Sequence, residues 1–202
     1  MIKRLIDLIL AVVMMPIVLP AIAVISVGIM CTMGIPIFFR QTRVGKDRVR
    51  FRIFKFRTMS NAIDTGDISE DMSIKDLIEK RKAYQTTSEK DKRISNFGSF
   101  LRKHSLDELP QIFNIIKGDM SFVGPRPDAP HQRADYPAHF WVTRHHVKPG
   151  LTGLAQINGR SSLNLNERTA LDLKYSEKHS LKLDLAILLQ TIYHVISFKN
   201  SN

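Results

Sequence analysis

Cysteine is almost missing from this chain, and the single one, Cys31, has no partner for an intrachain disulfide. A small secreted domain stapled by disulfides is therefore excluded, and a reducing compartment fits. Acidic residues are also scarce: 19 Asp and Glu stand against 30 Lys and Arg among 202 residues, a formal net charge of +11. This excess predicts an anionic partner, which would be nucleic acid, acidic lipid headgroups or phosphorylated small molecules.

Charge is absent altogether from residues 8–39. A straight helix of about 32 residues would be about 48 Å long, which exceeds the ~30 Å hydrocarbon core of a bilayer but does not suffice for two crossings. Pro16 and Pro20 lie inside this apolar run. Each removes a helical hydrogen bond, so together they predict a bend or break near residues 16–20.

Three interpretations of the apolar run compete: a secretory signal peptide with "AIA" at 21–23 as a cleavage site, a transmembrane anchor, and a bent re-entrant hairpin. The run continues well past "AIA", which argues against the signal peptide. Both flanks are basic: Lys3 and Arg4 precede the run, and eight Lys and Arg against one acid fill residues 40–57. Because basic flanks prefer the cytoplasmic side, we favour the hairpin, with Pro16 and Pro20 as its hinge.

Residues 49–57, "VRFRIFKFR", alternate between apolar and basic side chains; up to Ile53 the alternation predicts a short strand with one basic face, and a change of phase follows. The basic side chains are either exposed to solvent without a binding role, or they bind anionic lipid or a phosphate. Further along, residues 73–84 predict a modest helix. At the other end of the chain, helices are expected at about 163–179 and 183–197, and the second is apolar enough to be buried or interfacial.

An acidic pair, Asp107 and Glu108, stands among basic residues in the stretch "SLDELPQ". Apolar residues recur at helical spacing over 97–118, and Gly118 supplies a stop signal. Ser105 and Glu108 match a capping box, although Pro110 moves the expected helix start nearer to Leu109. The pair is therefore interpreted either as a helix-capping feature or as a catalytic one.

Arg126 lies between two prolines in "GPRP", which presents its guanidinium from a stiff loop suited to phosphate recognition. The alternative is a surface arginine paired with Asp128. A glycine-punctuated segment follows at 149–160; it predicts a turn at 158–159 and backbone tight enough, near Gly150, Gly153 and Gly159, for a ligand to approach closely.

Four of the seven histidines fall in residues 131–148, but their spacing matches no zinc motif, so a zinc site is not expected. Phe140 and Trp141 suit either a membrane interface or a small core.

Several separated motifs resemble one family, the bacterial sugar transferases, which are small monotopic phosphoglycosyl transferases acting on undecaprenyl phosphate. The motifs are "KFRTM" (55–59), "LRKHSLDELPQIFNIIKGDMSFVGPRP" (101–127), "RHHVKPGLTGLAQINGR" (144–160) and the spaced set Asp172, Tyr175, Ser180, Asp184 and Thr191. The resemblance covers almost the whole chain outside residues 61–90. One departure is Leu19 before Pro20, where the family has a serine.

The resemblance implies a helix-dominated α+β fold with a small β element and interfacial amphipathic helices. Residues 1–39 would form the re-entrant membrane helix, and residues 40–202 a membrane-associated catalytic domain on the cytoplasmic face of the bacterial inner membrane. The implied reaction moves a sugar-1-phosphate from a UDP-sugar to undecaprenyl phosphate, releases UMP and initiates glycan assembly. Which sugar is transferred does not follow.

The resemblance further implies that Asp107 is the nucleophile that forms a covalent aspartyl phosphosugar, with Glu108 assisting as a metal ligand or in proton handling. Two unit charges about 4 Å apart repel by about 4 kcal/mol at an effective dielectric of ~20, so a carboxylate attacking a phosphate calls for Mg²⁺ held by this pair. The expected substrate-binding residues are basic: Lys55, Arg57, Arg102, Arg126 and Arg160, with Arg102 toward the lipid phosphate and Arg126 and Arg160 toward the diphosphate.

The expected partners are a UDP-sugar, undecaprenyl phosphate and anionic membrane lipids, and no nucleic acid. A different class of function is a membrane-tethered nucleic-acid-binding or scaffold protein that uses the basic strand at 49–57 without catalysis. It predicts steep salt dependence and indifference to Asp107. The chain has only one Trp and four Tyr for base stacking, which weakens this alternative.

Overall fold

A computed structural model describes residues 2–60, 72–83, 91, 93–159 and 162–197, without the side chain of Ile196. Eight α-helices and four strands alternate with short 3₁₀ segments in this part of the chain. The helices are α1 Ile2–Met33, α2 Ile74–Ala83, α3 Asn96–Lys103, α4 Ile112–Lys117, α5 Ala138–Arg144, α6 Leu154–Ile157, α7 Leu165–Lys178 and α8 Leu181–Ser197; the strands are β1 Phe38–Val44, β2 Arg50–Phe56, β3 Ser121–Val123 and β4 Gly150–Thr152.

The strands form two small sheets. An antiparallel hairpin pairs β1 with β2, in the register Phe38 opposite Phe56 and Val44 opposite Arg50, and a short parallel pair joins β3 to β4. The predicted helix-dominated α+β class with a small β element is confirmed, as is the strand expected within residues 49–57. The predicted domain boundary between residues 39 and 40 falls inside β1.

Helix α1 is continuous from Ile2 to Met33 and runs through both prolines. The predicted break at residues 16–20 is therefore wrong. A proline at position i leaves the carbonyl at i−4 without its helical hydrogen bond. Pro16 and Pro20 are four residues apart and therefore affect the same face of the helix, and the hydrogen bonds of the other faces keep the helix continuous. A bend, a re-entrant course and a hinge role for these prolines stay predictions. By length and composition, α1 is the one helix in the described part of the chain that is suited to a membrane.

Both ends of α1 contact the rest of the protein. Near its start, Lys3 Nζ lies 2.6 Å from Asp184 Oδ2 in α8, and Asp7 accepts a hydrogen bond of 3.0 Å from the Ser121 hydroxyl in β3. Near its end, Arg57 of the loop after β2 donates to the carbonyl of Gly34 at 2.6 Å. The two ends of α1 thus both contact the part of the protein that follows the helix.

The main core is built from residues of α1, β2, α3 and α4, with α1 packed against α3 and α4. Its most completely buried members include Ile29, Ile53, Phe56, Leu101 and Ile115. Strand β2 contributes Phe51 and Ile53 to this core in alternation, and Phe56 after a change of phase that follows Ile53. Lys55 lies in this out-of-phase end of the strand, beside the buried Phe56.

Residues 96–118 form three short elements in place of one helix. Helix α3 ends at Lys103, Ser105 takes a left-handed conformation with φ of 55°, and a 3₁₀ helix spans Leu106–Gln111 before α4. The predicted capping box is wrong, because Ser105 makes no side-chain cap at this helix. The predicted stop at Gly118 is confirmed by its φ of 99°.

The C-terminal helices α7 and α8 lie where the sequence predicts them. The outer face of α8 remains apolar and exposed at Leu181, Leu185, Leu189 and Ile192, while its inner face buries Ile187. An interfacial position for α8 stays a prediction. Of the two aromatic residues considered for the membrane interface, Trp141 belongs to a small buried cluster with Val44 and Tyr136.

The glycines at 150 and 153 serve backbone packing. A Cβ at Gly150 would lie 2.1 Å from the Gly124 nitrogen, and one at Gly153 would lie 2.1 Å from the Gly124 carbonyl oxygen. The space beside both residues is filled by protein backbone, so the predicted close approach of a ligand at these two positions is wrong. The turn expected at residues 158–159 is confirmed, with a φ of 142° at Gly159.

Candidate active site

The acidic pair lies on the 3₁₀ helix, directly against β2. The 3₁₀ helix advances about 120° per residue, which separates the two neighbouring carboxylates. Lys55 of β2 meets them: its Nζ lies 2.7 Å from Glu108 Oε1 and 4.0 Å from Asp107 Oδ2. Asp107 is only 9% exposed. A buried acid–base cluster thus forms from residues 53 positions apart in the sequence.

Arg126 reaches the same cluster from the loop after β3. Its Nη2 lies 2.8 Å from Glu108 Oε1, the oxygen that Lys55 also contacts. The alternative pairing of Arg126 with Asp128 is wrong, because the Asp128 carboxylate accepts from the buried Arg144 guanidinium. Arg126 is therefore presented to the acidic pair, and half of its side chain is exposed to an incoming ligand.

The two carboxylates differ electrostatically. Burial alone would raise the pKa of Glu108, but Arg126 and Lys55 together hold that pKa well below its ordinary value. Burial raises the pKa of Asp107 in spite of the attraction of Lys55, and the charge of Glu108 adds to the rise. Burial also lowers the pKa of Lys55, in spite of the carboxylates beside it. Glu108 is thus held as an anion in an ion-pair network, whereas Asp107 is a desolvated carboxylate whose ion-pair partner among the described residues, Lys55, lies 4.0 Å away.

This asymmetry bears on the chemistry of the pair. A carboxylate held by two cations at hydrogen-bonding distance is a poor nucleophile, because its charge is already neutralised. A buried carboxylate whose nearest cation lies at 4.0 Å keeps its lone pairs available for a phosphorus atom or a metal ion. The geometry therefore suits Asp107 to react and Glu108 to hold the surrounding cations.

The structure places the other predicted site residues at different distances from the pair. Arg102, in the last turn of α3, lies close enough for its charge to lower the pKa of Asp107, and its Nη2 is 3.7 Å from Met59 Sδ. Arg57 donates to the carbonyls of Met33, Gly34 and Ile35 at the end of α1, so its described contacts are not with the acidic pair. Its role in substrate binding stays a prediction.

Arg160 lies outside the described residues, so its predicted role is not placed. Among the described residues, no group of three or more His, Cys, Asp and Glu is arranged to hold a metal ion. His131 and His145 are buried, and burial lowers the pKa of each to about 4. His145 stacks against Trp141 with ring centroids 4.1 Å apart.

The donor set fits a magnesium ion at Asp107 better than at Glu108. Mg²⁺ uses one or two protein carboxylates and completes its shell with water and phosphate oxygens, so a site with few protein ligands is what a phosphate-bound ion needs. Asp107 offers a buried carboxylate of this kind, whereas Lys55 and Arg126 both contact Glu108 and would repel a metal ion there.

Two further sets of buried polar contacts were missed by sequence reasoning. Arg144 joins the carboxylates of Asp128 and Asp172, and separately Tyr175 donates to Asp184 at 2.6 Å. All of these except Asp128 belong to segments that resemble the family. Charged residues within segments that resemble the family are a sequence signal for such contacts. Which residues pair with one another depends on the tertiary structure.

Comparison with known proteins identifies one family. Residues 1–198 match the family described as "Bacterial sugar transferase". A UDP-glucose:undecaprenyl-phosphate glucose-1-phosphate transferase from Xanthomonas campestris pv. campestris is 39% identical over 206 residues, with 98% of this chain and 40% of that protein covered. The protein of the same name from Escherichia coli K12 is 34% identical, with coverage of 96% and 40%.

A shorter relative, the "Uncharacterized sugar transferase EpsL" of Bacillus subtilis 168, is 37% identical, with 96% of this chain and 87% of that protein covered. The chain spans about two fifths of the length of the Xanthomonas and Escherichia relatives. The match over nearly all residues and the agreement of the relatives lead to one conclusion: the chain belongs to the bacterial sugar transferase family.

Proposed function

We propose that this protein transfers a sugar-1-phosphate from a UDP-sugar to undecaprenyl phosphate and releases UMP. Membership of the bacterial sugar transferase family supports the reaction class. The relatives named above act, by their names, on UDP-glucose and undecaprenyl phosphate. A relative from Erwinia amylovora, 36% identical, is named a UDP-galactose-lipid carrier transferase, so the choice between sugars is open to test.

One observation carries the mechanistic part of the proposal: among the described residues, Glu108 makes both cation contacts shorter than 3 Å, and the nearest ion-pair partner of Asp107 is Lys55 at 4.0 Å. A carboxylate oxygen of Asp107 attacks the sugar-bearing phosphorus, its bond to the UMP oxygen breaks, and UMP leaves. An oxygen of undecaprenyl phosphate then attacks the aspartyl phosphosugar and restores the free Asp107 carboxylate. Glu108 does not react; it keeps Lys55 and Arg126 in place around the phosphates.

Three cations of the chain act on the substrates in this proposal. Arg126 binds the diphosphate of the sugar nucleotide from the exposed side of the cluster, and Arg102 faces the lipid phosphate from α3. Lys55 stabilises the ionised form of Asp107 from 4.0 Å. A Mg²⁺ ion held by Asp107 and the substrate phosphates would offset the repulsion between carboxylate and phosphate. Glu108 would support that ion through its hold on the neighbouring cations.

The membrane part of the proposal is a monotopic protein on the cytoplasmic face of the inner membrane, with α1 dipping into the bilayer and returning. Both ends of α1 contact one body, through Lys3 with Asp184 and through Arg57 with Gly34, which favours a position of both ends on one side of the membrane. The middle of α1 exposes apolar side chains such as Ile17, which suit acyl chains.

The alternative of a nucleic-acid-binding or scaffold protein gains little from these contacts. Two basic side chains of residues 49–57 are used within the protein, since Lys55 meets Glu108 and Arg57 meets the end of α1.

The reaction is tested by UMP release from the full chain with undecaprenyl phosphate and Mg²⁺. Asp107→Asn should lower turnover by about a thousandfold or more, because it removes the nucleophile. Asp119→Asn is the matched control, since Asp119 is a partly buried carboxylate paired with Lys117 at 3.4 Å, and it should retain parental turnover. The parent, incubated with UDP-sugar alone, should yield a phosphosugar adduct on Asp107 by mass spectrometry. Parental turnover in Asp107→Asn contradicts the covalent mechanism.

The sugar is identified with a panel of UDP-sugars that begins with UDP-glucose and UDP-galactose. We expect one member to exceed the others in kcat/KM by at least about tenfold, the range that a few hydrogen bonds to sugar hydroxyls provide. If no UDP-sugar of the panel yields UMP, the proposed reaction class is refuted.

Topology is tested with single cysteines at the two exposed ends of α1, Leu5→Cys and Ile35→Cys, in a Cys31→Ser background. A membrane-impermeant thiol reagent should label both from the cytoplasmic side of inverted vesicles and neither from the opposite side. Ile17→Cys, exposed in the middle of the helix, should resist the reagent from both sides because lipid covers it. Labelling of the two ends from opposite sides would show a full span.

A further inference from the structure

Arg126 lies in a loop, residues 125–128, in which every backbone carbonyl accepts a hydrogen bond. Four different groups donate to these four oxygens in chain order: the Gly150 N–H (2.9 Å), Arg144 Nη2 (2.8 Å), Arg43 Nη1 (3.2 Å) and the Val44 N–H (2.9 Å). Two of the four residues are prolines, which restrict the backbone further. The loop is therefore fixed from several sides.

Arg144 is the only buried side chain among these donors. It ends α5, is 2% exposed, and spreads its planar guanidinium over three partners. It pairs with the Asp128 carboxylate, donates to Asp172 Oδ2 from Nε at 3.0 Å and from Nη2 at 2.8 Å, and donates to the Arg126 carbonyl. A lysine has one nitrogen and cannot reproduce this fork.

These contacts connect Arg144 to the acidic pair without touching it. The carbonyl that Arg144 holds and the guanidinium that meets Glu108 at 2.8 Å belong to the same residue, Arg126. The following proline, Pro127, narrows the backbone conformations of Arg126. A change in the position of that carbonyl is therefore transmitted to the guanidinium.

We propose that Arg144 is a positioning residue for nucleotide binding: by holding the Arg126 carbonyl it fixes where the Arg126 guanidinium meets the diphosphate of the sugar nucleotide. This inference rests on the proposed function, in which Arg126 binds that diphosphate. It assigns Arg144 an effect on the affinity for a nucleoside diphosphate, beyond its contribution to folding.

The test is Arg144→Lys in the full chain. The lysine keeps a positive charge beside the two buried carboxylates but loses the bridge to the loop. We expect the KM for the UDP-sugar and the Kd for UDP, measured by calorimetry, each to rise about tenfold, with kcat changed by less than about threefold. A purely structural role would lower the folded fraction, and hence kcat, but would leave KM and Kd unchanged.

Arg133→Lys is the matched control. Arg133 also donates to a backbone carbonyl, that of Tyr136 at 2.9 Å, but its described contacts do not include the loop. It should leave KM and Kd at parental values. The double variant Arg126→Ala/Arg144→Lys should show a Kd within about twofold of that of Arg126→Ala alone, because the guanidinium that Arg144 positions is gone.

The outcomes separate this inference from the function on which it rests. If Arg126→Ala raises the Kd for UDP but Arg144→Lys does not, or if the two effects multiply in the double variant, the positioning role is refuted and the proposed site stands. If Arg126→Ala leaves the Kd unchanged, the assignment of Arg126 to the diphosphate fails, and the role of Arg144 fails with it.

Discussion

Removal of the lysine charge beside the acidic pair should change the pH dependence of the reaction in a predictable direction. Lys55 Nζ lies 4.0 Å from Asp107 Oδ2. At an effective dielectric of ~20, opposite unit charges at this distance attract by about 4 kcal/mol, and this attraction lowers the pKa of Asp107. Burial already raises that pKa. In Lys55→Met the pKa of Asp107 should therefore rise further.

Asp107 attacks only when it is ionised, so activity falls as the pH drops through its pKa. We expect the acid limb of log(kcat/KM) for UMP release to lie about 1 to 3 pH units higher in Lys55→Met than in the parent. Part of the loss at neutral pH should return at alkaline pH, where Asp107 ionises without help.

Lys55→Arg separates charge from the identity of the side chain. Burial lowers the pKa of Lys55, so the parent loses this cation at alkaline pH, whereas arginine remains protonated. The acid limb of Lys55→Arg should match that of the parent, and the activity plateau should extend to higher pH. Lys117→Met, which removes an exposed lysine outside the cluster, should leave the whole profile unchanged.

The result that refutes this reasoning is a uniform fall in kcat/KM for Lys55→Met at every pH, with an unmoved acid limb. Lys55 would then act on the substrate phosphates alone, and the ionisation of Asp107 would be governed by other groups.

The stability of the protein supplies further predictions, each measured by thermal unfolding of the parent and variant. Glu108→Gln should lower the free energy of unfolding by about 3 kcal/mol at pH 7, because two cations lose their partner. Since the folded-state pKa of Glu108 is lowered, this contribution is present above its ordinary pKa of 4.5, and the difference should shrink as the pH falls below that value. Asp107→Asn should instead raise the melting temperature at pH 7, because burial penalises the charged form; a lower melting temperature would contradict the raised pKa. Gly153→Ala should cost about 2 kcal/mol or more, since its Cβ would lie 2.1 Å from the Gly124 carbonyl oxygen, and an unchanged melting temperature would show that this contact relaxes easily. Asp7→Leu should cost about 1 to 3 kcal/mol, because the donors that Asp7 accepts from in β3 stay buried without it; a neutral effect would mean that they find other acceptors.

Local patterns of the chain were sufficient for most of its elements. The alternation of residues 49–57 determines β2, because a strand must bury one face. Helical periodicity and the stop at Gly118 determine where α4 ends, and the apolar run determines α1. These features depend on neighbouring residues only, so the sequence contains the information directly. The family resemblance added Asp107 and Glu108 as the reactive pair.

The partners of the charged residues depended on contacts between distant segments. Glu108 fits a capping box by its local sequence, yet its carboxylate binds Lys55 and Arg126 because β2 and the loop after β3 pack against the 3₁₀ helix. The glycines at 150 and 153 suggest space for a ligand, yet the backbone of Gly124 occupies it. Patterns along the chain do not specify which segment fills such a space.

The sequence by itself therefore determined the apolar helix, the basic strand and the presence of an acidic pair among cations. Only the tertiary structure distinguished the two acids, because their side chains are buried alike and differ in their distance to Lys55 and Arg126. Such a difference arises when segments far apart in the chain pack around the same place, and hydropathy or spacing along the chain carries no measure of that distance.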